Sequence, residues 1–135
     1  MAQPEASEST VRESGYTPLE QVLFVEVGWG ADQHGQSATK AVVRACRNAI
    51  EFNSIPSIKK LVPNGYDGLK LRVKVGTPYP EKVDLEQARR VFPYGQVAFE
   101  VVEGGLNCCS GIAVPALGDT SEDMLVAVAA VTVGY

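Results

Sequence analysis

Residues 25–37 read VEVGWGADQHGQS. An apolar strand runs into glycines, then into an aspartate and a histidine, then into a serine that can start a helix. A strand end, a small-residue turn and a helix N-terminus bring polar side chains beside outward-pointing backbone N–H groups, a common way to build a site. Working upstream, residues 22–29 alternate as a strand, with Leu23, Val25, Val27 and Trp29 on one face and Val22, Phe24 and Glu26 on the other. Both faces are mainly apolar, so the strand is expected to be central.

Downstream of a turn at 28–35, Ser37 or Thr39 is placed to cap a helix running to about Phe52. Ala38, Ala41, Val42, Ala45, Cys46, Ala49 and Ile50 form its buried stripe, and Lys40, Arg44, Arg47 and Glu51 fall on the opposite side. Residues 53–68 carry two prolines and two glycines and read as a loop with one short helical turn at 57–61. Then Leu69, Leu71, Val73 and Val75 alternate strictly with Lys70, Arg72 and Lys74, giving a strand with one apolar and one cationic face. A second helix spans 84–91, ended by Pro93; strands follow at 96–102 and 124–133, joined by a long connection at 104–120. The order βαβαββ predicts an α/β two-layer sandwich with both helices on one sheet.

The 135 residues, 45% of them hydrophobic, suffice for one domain at 21–135 behind a flexible acidic, Ser-rich arm at 1–20. The net charge of -4 excludes a general nucleic-acid binder, which needs clustered cations. No apolar run is long enough to span a bilayer and no basic-then-apolar leader opens the chain. A cytoplasmic protein is expected. Glu5, Glu8 and Glu13 against a single Arg12 disfavour organelle import, with a plastid as the alternative. Cys46, Cys108 and Cys109 lack C-x-x-C spacing and fit free thiols in a reducing compartment.

Two helices cover one face of a four-stranded sheet, yet the first and last strands are apolar on both faces. The second face then needs cover from outside the chain, and a homo-oligomer with sheets packed together is the economical answer. Clefts between subunits would hold the sites.

Two chemistries suit Asp32 and His34. At spacing i, i+2 on extended backbone they can converge on a divalent metal such as zinc, with a third ligand from Cys108, Cys109, a glutamate or a neighbouring subunit. Without metal, His34 can act as general acid or base, its ring oriented by Asp32 or Glu26. The blander alternative is an imidazole that pins the turn through backbone bonds. Gly28, Gly30 and Gly35 do not make a dinucleotide fingerprint, since Gln33 stands where a third glycine belongs. Anion binding near Ser37, helped by Lys40 and by Arg72 or Lys74, competes with a purely protective role for the strand cations. Glu100 and Glu103 near a strand end become proton shuttles if burial raises their pKa; otherwise they are solvated. Cys108, Cys109 and Ser110 are possible nucleophiles, or the thiols are buried structure.

The pattern GxGxDxHG (Gly28, Gly30, Asp32, His34, Gly35), with LFVEVG before it and TKAVVRACRNAIEFNSIP after it, is similar to a family of small conserved hypothetical proteins typified by a listerial member. The resemblance covers most of residues 22–135 and implies relatives without implying a reaction. The element order resembles the trimeric chorismate-mutase-like fold, which implies a trimer with inter-subunit sites; the arginine-bearing first strand of those mutases has no counterpart here. GWGADQH resembles the GxGxDxH of methylerythritol cyclodiphosphate synthase, which implies Asp32 and His34 as zinc ligands, although that enzyme needs a further histidine and His34 is the sole one here. CCSGIAVPALGD is similar to serine-containing strands of the cyanuric acid hydrolase and barbiturase group. The expectation is therefore a small-molecule enzyme (hydrolase, lyase or isomerase) with an inter-subunit site using Asp32 and His34; substrate contacts come from Gly28, Gly30, Gly35, Lys40, Arg72, Lys74 and Glu103. The alternatives are a non-catalytic metabolite- or metal-binding oligomer and a structural assembly factor.

Overall fold

The computed structural model describes residues 10–51 and 55–135. Within them lie six strands and three helices: β1 (Val11–Arg12), β2 (Val22–Asp32), α1 (Ala38–Ile50), α2 (Ile58–Leu61), β3 (Lys70–Thr77), α3 (Leu85–Arg89), β4 (Gln96–Glu103), β5 (Leu106–Cys109) and β6 (Asp123–Gly134). The strands form one mixed sheet in the order β1-β4-β3-β6-β2, with β5 also paired to β6. The longest ladder is antiparallel, from Val22 opposite Gly134 to Asp32 opposite Leu125. β3 and β4 run parallel, joined through α3. The α/β reading holds, with two strands more than the four expected.

The core lies between the sheet and α1. Ala38, Ala41, Val42, Ala45, Cys46 and Ala49 are buried against Leu125, Ala127, Ala129, Val131, Val73 and Val75. The helix stripe matches its spacing, except that Ile50 is only half-buried. Gly28 and Gly30 take this packing to its limit. A Cβ on Gly28 would stand 2.3 Å from the Ala49 amide nitrogen, and one on Gly30 would stand 2.4 Å from that of Ala45. The helix backbone thus rests on the strand backbone.

Three expectations need correction. β2 is an edge strand, not a central one. Polarity reports what covers the two faces of a strand, whereas its neighbours in the sheet bond through backbone and leave no side-chain pattern. Side chains of α1 reach that edge instead: Trp29 N–H donates to Asn48 Oδ1 (3.0 Å), and Arg44 Nη1 donates to the Ala31 carbonyl (2.6 Å).

Second, residues 10–20 are not a loose arm. Val11 and Arg12 pair with β4, the Glu13 carboxylate accepts from Phe99 N–H (2.9 Å) and pairs with Arg89, and Arg72 Nε donates to the Thr17 carbonyl. Charged side chains anchor a segment that has little apolar surface to bury. Residues 1–9 of the expected arm, and Phe52 at the expected helix end, lie outside the described residues.

Third, β2 extends through Asp32, so Gly28 and Gly30 belong to a strand and the turn begins at Gln33.

The face of the sheet away from α1 has two halves. Over β2 and β6 it is apolar, with Val27 66% and Trp29 65% exposed beside Val25 and Val128. Over β3 and β4 it is charged: Glu100, 2% exposed, sits between Arg12 and Lys74. No helix among the described residues is long and apolar enough to cross a membrane.

Candidate functional site

The C-terminal end of β2 and the start of α1 are joined by residues 33–37, where Gly35 (φ 92°) and Gln36 (φ 47°) adopt left-handed backbone. The Ser37 side chain caps the helix by accepting from Lys40 N–H (3.2 Å). Asp32, only 2% exposed, accepts from Ser37 N–H (2.8 Å) and from Arg44 Nη1 (3.1 Å). A carboxylate of the chain itself therefore occupies the anion position expected at this helix N-terminus. Arg44 neutralises it.

His34 has a different partner. Its Nδ1 lies 2.7 Å from Asp119 Oδ2, across 85 residues of chain. Asp119 also accepts from Val114 N–H (2.7 Å), Gly35 N–H (2.8 Å) and Gln36 Nε2 (3.0 Å). The Val114 amide first, then His34, Gly35 and Gln36, hold its carboxyl well below the usual carboxylate range, against the opposing effect of burial. Asp119 is thus a fixed anion, and it selects the tautomer with the proton on Nδ1. Gln36 closes the arrangement, accepting from Thr120 N–H (3.1 Å) and donating to the carbonyls of Gln33 and Asp123 (3.1 Å each).

Beside this turn an open groove of about 440 Å³ is lined by Ala31, Asp32, Gln33, His34, Lys40, Arg44, Leu117 and Met124. An imidazole oriented by a carboxylate, two cations and two flexible apolar side chains share one surface. Such a set can hold an anionic compound and move a proton.

Of the residues expected at the site, Asp32, His34 and Lys40 meet here. Gly35 shapes the turn through its N–H bond to Asp119. Gly28 and Gly30 are committed to helix packing, and neither Arg72 nor Lys74 lines the groove; Lys74 Nζ pairs with Glu100 Oε1 (3.1 Å) on the open sheet face. Glu103 lines a separate hollow with Pro78, Tyr79 and Gly104. Glu100 is buried, but its pKa does not rise as expected. Burial pushes it up, and the bonds from Arg12 and Lys74 outweigh that, leaving it below the usual value.

Cys46 is the buried structural thiol, pushed up to about 12 by desolvation. Cys109 is exposed, and Cys108 is half-buried with Sγ 3.8 Å from the Met124 carbonyl. Ser110 Oγ donates to the Glu122 carbonyl (2.9 Å) and accepts from Ile112 N–H (3.1 Å), which locks a turn and supplies no activating base.

The metal reading fits poorly on the donors themselves. Both Asp32 oxygens are taken by an amide and a guanidinium, and His34 turns its Nδ1 to Asp119. Among the described residues no three His, Cys, Asp or Glu side chains are grouped to hold an ion. Sequence reasoning missed Asp119. Its one local signal is the turn-like run Gly118-Asp119-Thr120-Ser121, and nothing in spacing ties that run to His34.

A family model described as a conserved hypothetical protein, Lin0512_fam, matches residues 22–133. Among solved structures, an FtsZ-like protein of unknown function from Nostoc punctiforme PCC 73102 is 40% identical. The match covers 84% of this chain and 93% of that one, with a TM-score of 0.74. None of the curated proteins matches the chain.

Proposed function

From the premise that the chain belongs to the Lin0512 family of conserved hypothetical proteins, we propose that it is a homo-oligomeric small-molecule enzyme whose proton-transfer group is His34. The observation that carries this reading is the 2.7 Å bond between His34 Nδ1 and Asp119. A carboxylate that stays ionised holds the ring in one tautomer, stabilises the imidazolium formed on proton uptake, and reserves Nε2 for a bound compound. Asp119 is a positioning residue. With Arg44 already paired to Asp32, Lys40 is the groove cation that favours a substrate bearing a carboxylate or phosphate.

The oligomer rests on the open sheet face. Val25, Val27, Trp29 and Val128 expose adjacent apolar side chains, and a second copy would bury them. The groove lies where β2 ends and β6 begins, at the border of that face, so a packed neighbour would wall it.

A second reading, a non-catalytic binder of the same anions, draws support from Asp119. Its three donors other than His34 would hold the loops together even without chemistry. Turnover separates the two. A panel of carboxylated and phosphorylated metabolites is screened by thermal shift and by product detection, with His34→Gln alongside wild type. We expect a compound that wild type converts and that His34→Gln binds without converting. A bound compound that wild type leaves unchanged selects the binder, and a panel with no bound anion overturns both.

A further inference from the structure

A second set of residues on the opposite half of the α1 layer is untouched by the proton-transfer reading. Along β2 the positions turned toward the helix layer are Phe24, Glu26, Gly28 and Gly30, and the β6 residue opposite Glu26 is Val131. An acid therefore stands where the pattern calls for an apolar residue. Glu26 lines a half-open pocket of about 150 Å³ with Phe24, Ile58, Tyr66, Leu71 and Phe92. Glu26 is half-buried, whereas the fully buried acids all have partners: Asp32 has Arg44, Asp119 has four donors, and Glu100 has Arg12 and Lys74. Among the described residues none donates to or pairs with the Glu26 carboxyl, and desolvation pushes its pKa up.

A carboxyl in apolar surroundings is costly until a donor reaches it. An apolar cavity of roughly 150 Å³ accommodates one benzene ring. Aromatic walls add attraction for a cation, and Tyr66 and Tyr94, both lining the cavity, lie with ring centroids 4.4 Å apart. An anion would be repelled, and a plain hydrocarbon would leave the carboxyl unmatched.

We propose that this cavity is a second ligand site, distinct from the His34 groove, that takes a small apolar primary amine with its ammonium group on Glu26 and its hydrocarbon against Phe24, Tyr66 and Phe92. The two sites share no lining residue.

The test uses the full chain at pH 8, where benzylamine carries its ammonium charge, with benzylamine, toluene and benzoate as probes followed by calorimetry and amide NMR. The expected result is benzylamine binding at least roughly tenfold tighter than toluene, no benzoate binding, and shifts at Tyr66, Leu71 and Phe92. Glu26→Gln should remove that preference. Equal binding of benzylamine and toluene to wild type, benzylamine shifts confined to Lys40 and Met124, or no benzylamine binding would each overturn the proposal. The wild-type comparison decides even where Glu26→Gln does not fold.

Discussion

Replacing Gly28 by alanine tests the packing that sets the whole architecture. The new Cβ would stand 2.3 Å from Ala49 N, 2.5 Å from Ala45 O and 2.7 Å from Ala49 Cα. All three are helix backbone atoms, so no rotamer relieves the clash. Helix α1 must retreat by about 1 Å for the contact to reach the 3.4 Å of ordinary van der Waals distance. A gap of that size forfeits roughly a quarter to a half of each dispersion well it opens, and it opens along Ala41, Val42, Ala45, Cys46 and Ala49. Overpacking of this kind costs ~1–3 kcal/mol, and a clash with backbone belongs at the upper end. Lower unfolded-state entropy returns only ~0.4–1 kcal/mol. The net loss is about 2 kcal/mol, a fall of about 8 °C in Tm for a domain of this size. Urea denaturation followed by far-UV circular dichroism, with calorimetry, measures it. Gly76→Ala is the control, since its Cβ would meet nothing nearer than 3.6 Å, and it should be close to neutral. A Gly28→Ala protein melting within 1 °C of wild type would refute the backbone-on-backbone packing.

Asp119→Ala should leave four donors without their acceptor; proteolysis within 112–121 should quicken, and ¹⁵N NMR should show His34 losing its fixed Nδ1–H tautomer. Asp119 and Glu100 are both held below their ordinary values of 3.8 and 4.5, so the stability they confer is complete above about pH 4.5 and drains away as pH falls below it. Glu100→Gln should flatten that acid limb in urea titrations run between pH 2 and 6. Val27→Lys combined with Trp29→Lys should convert the proposed oligomer to monomer in sedimentation velocity; a wild type that is itself monomeric would contradict the proposed packing. Maleimide should label exposed Cys109 in the native protein and reach Cys46 only after unfolding, as peptide mass mapping would reveal.

Much of the fold was legible because periodicity reports burial. Leu71, Val73 and Val75 against Arg72 and Lys74 gave a strand and its faces, and the alanine stripe of α1 gave the helix and its buried side. What periodicity does not encode is lateral order, which is set by backbone pairing, and so β2 lies at the edge despite two apolar faces. The same limit hid the role of Gly28 and Gly30. A glycine that admits a ligand and a glycine that admits a helix look alike in one dimension. At the site, the turn, the capping serine and His34 could be read locally, whereas its partner Asp119 arrives from 85 residues away on a connection with no regular pattern. Glu13 falls in the stretch whose polar composition reads as a flexible arm; its bond to Phe99 N–H and its pair with Arg89 depend on a sheet edge that forms only in the folded chain.

The contacts from α1 to the border strand bear on how copies can add to one another. An eleven-residue strand with bare outward amides and carbonyls would invite end-on recruitment of further sheets, each new copy exposing the same border and so propagating a fibre. Asn48 and Arg44 engage the Trp29 amide and the Ala31 carbonyl before any neighbour can. In the proposed assembly, those two caps would disfavour growth at this end of the rim, and stacking of the broad faces about a rotation axis would close into a particle of finite size.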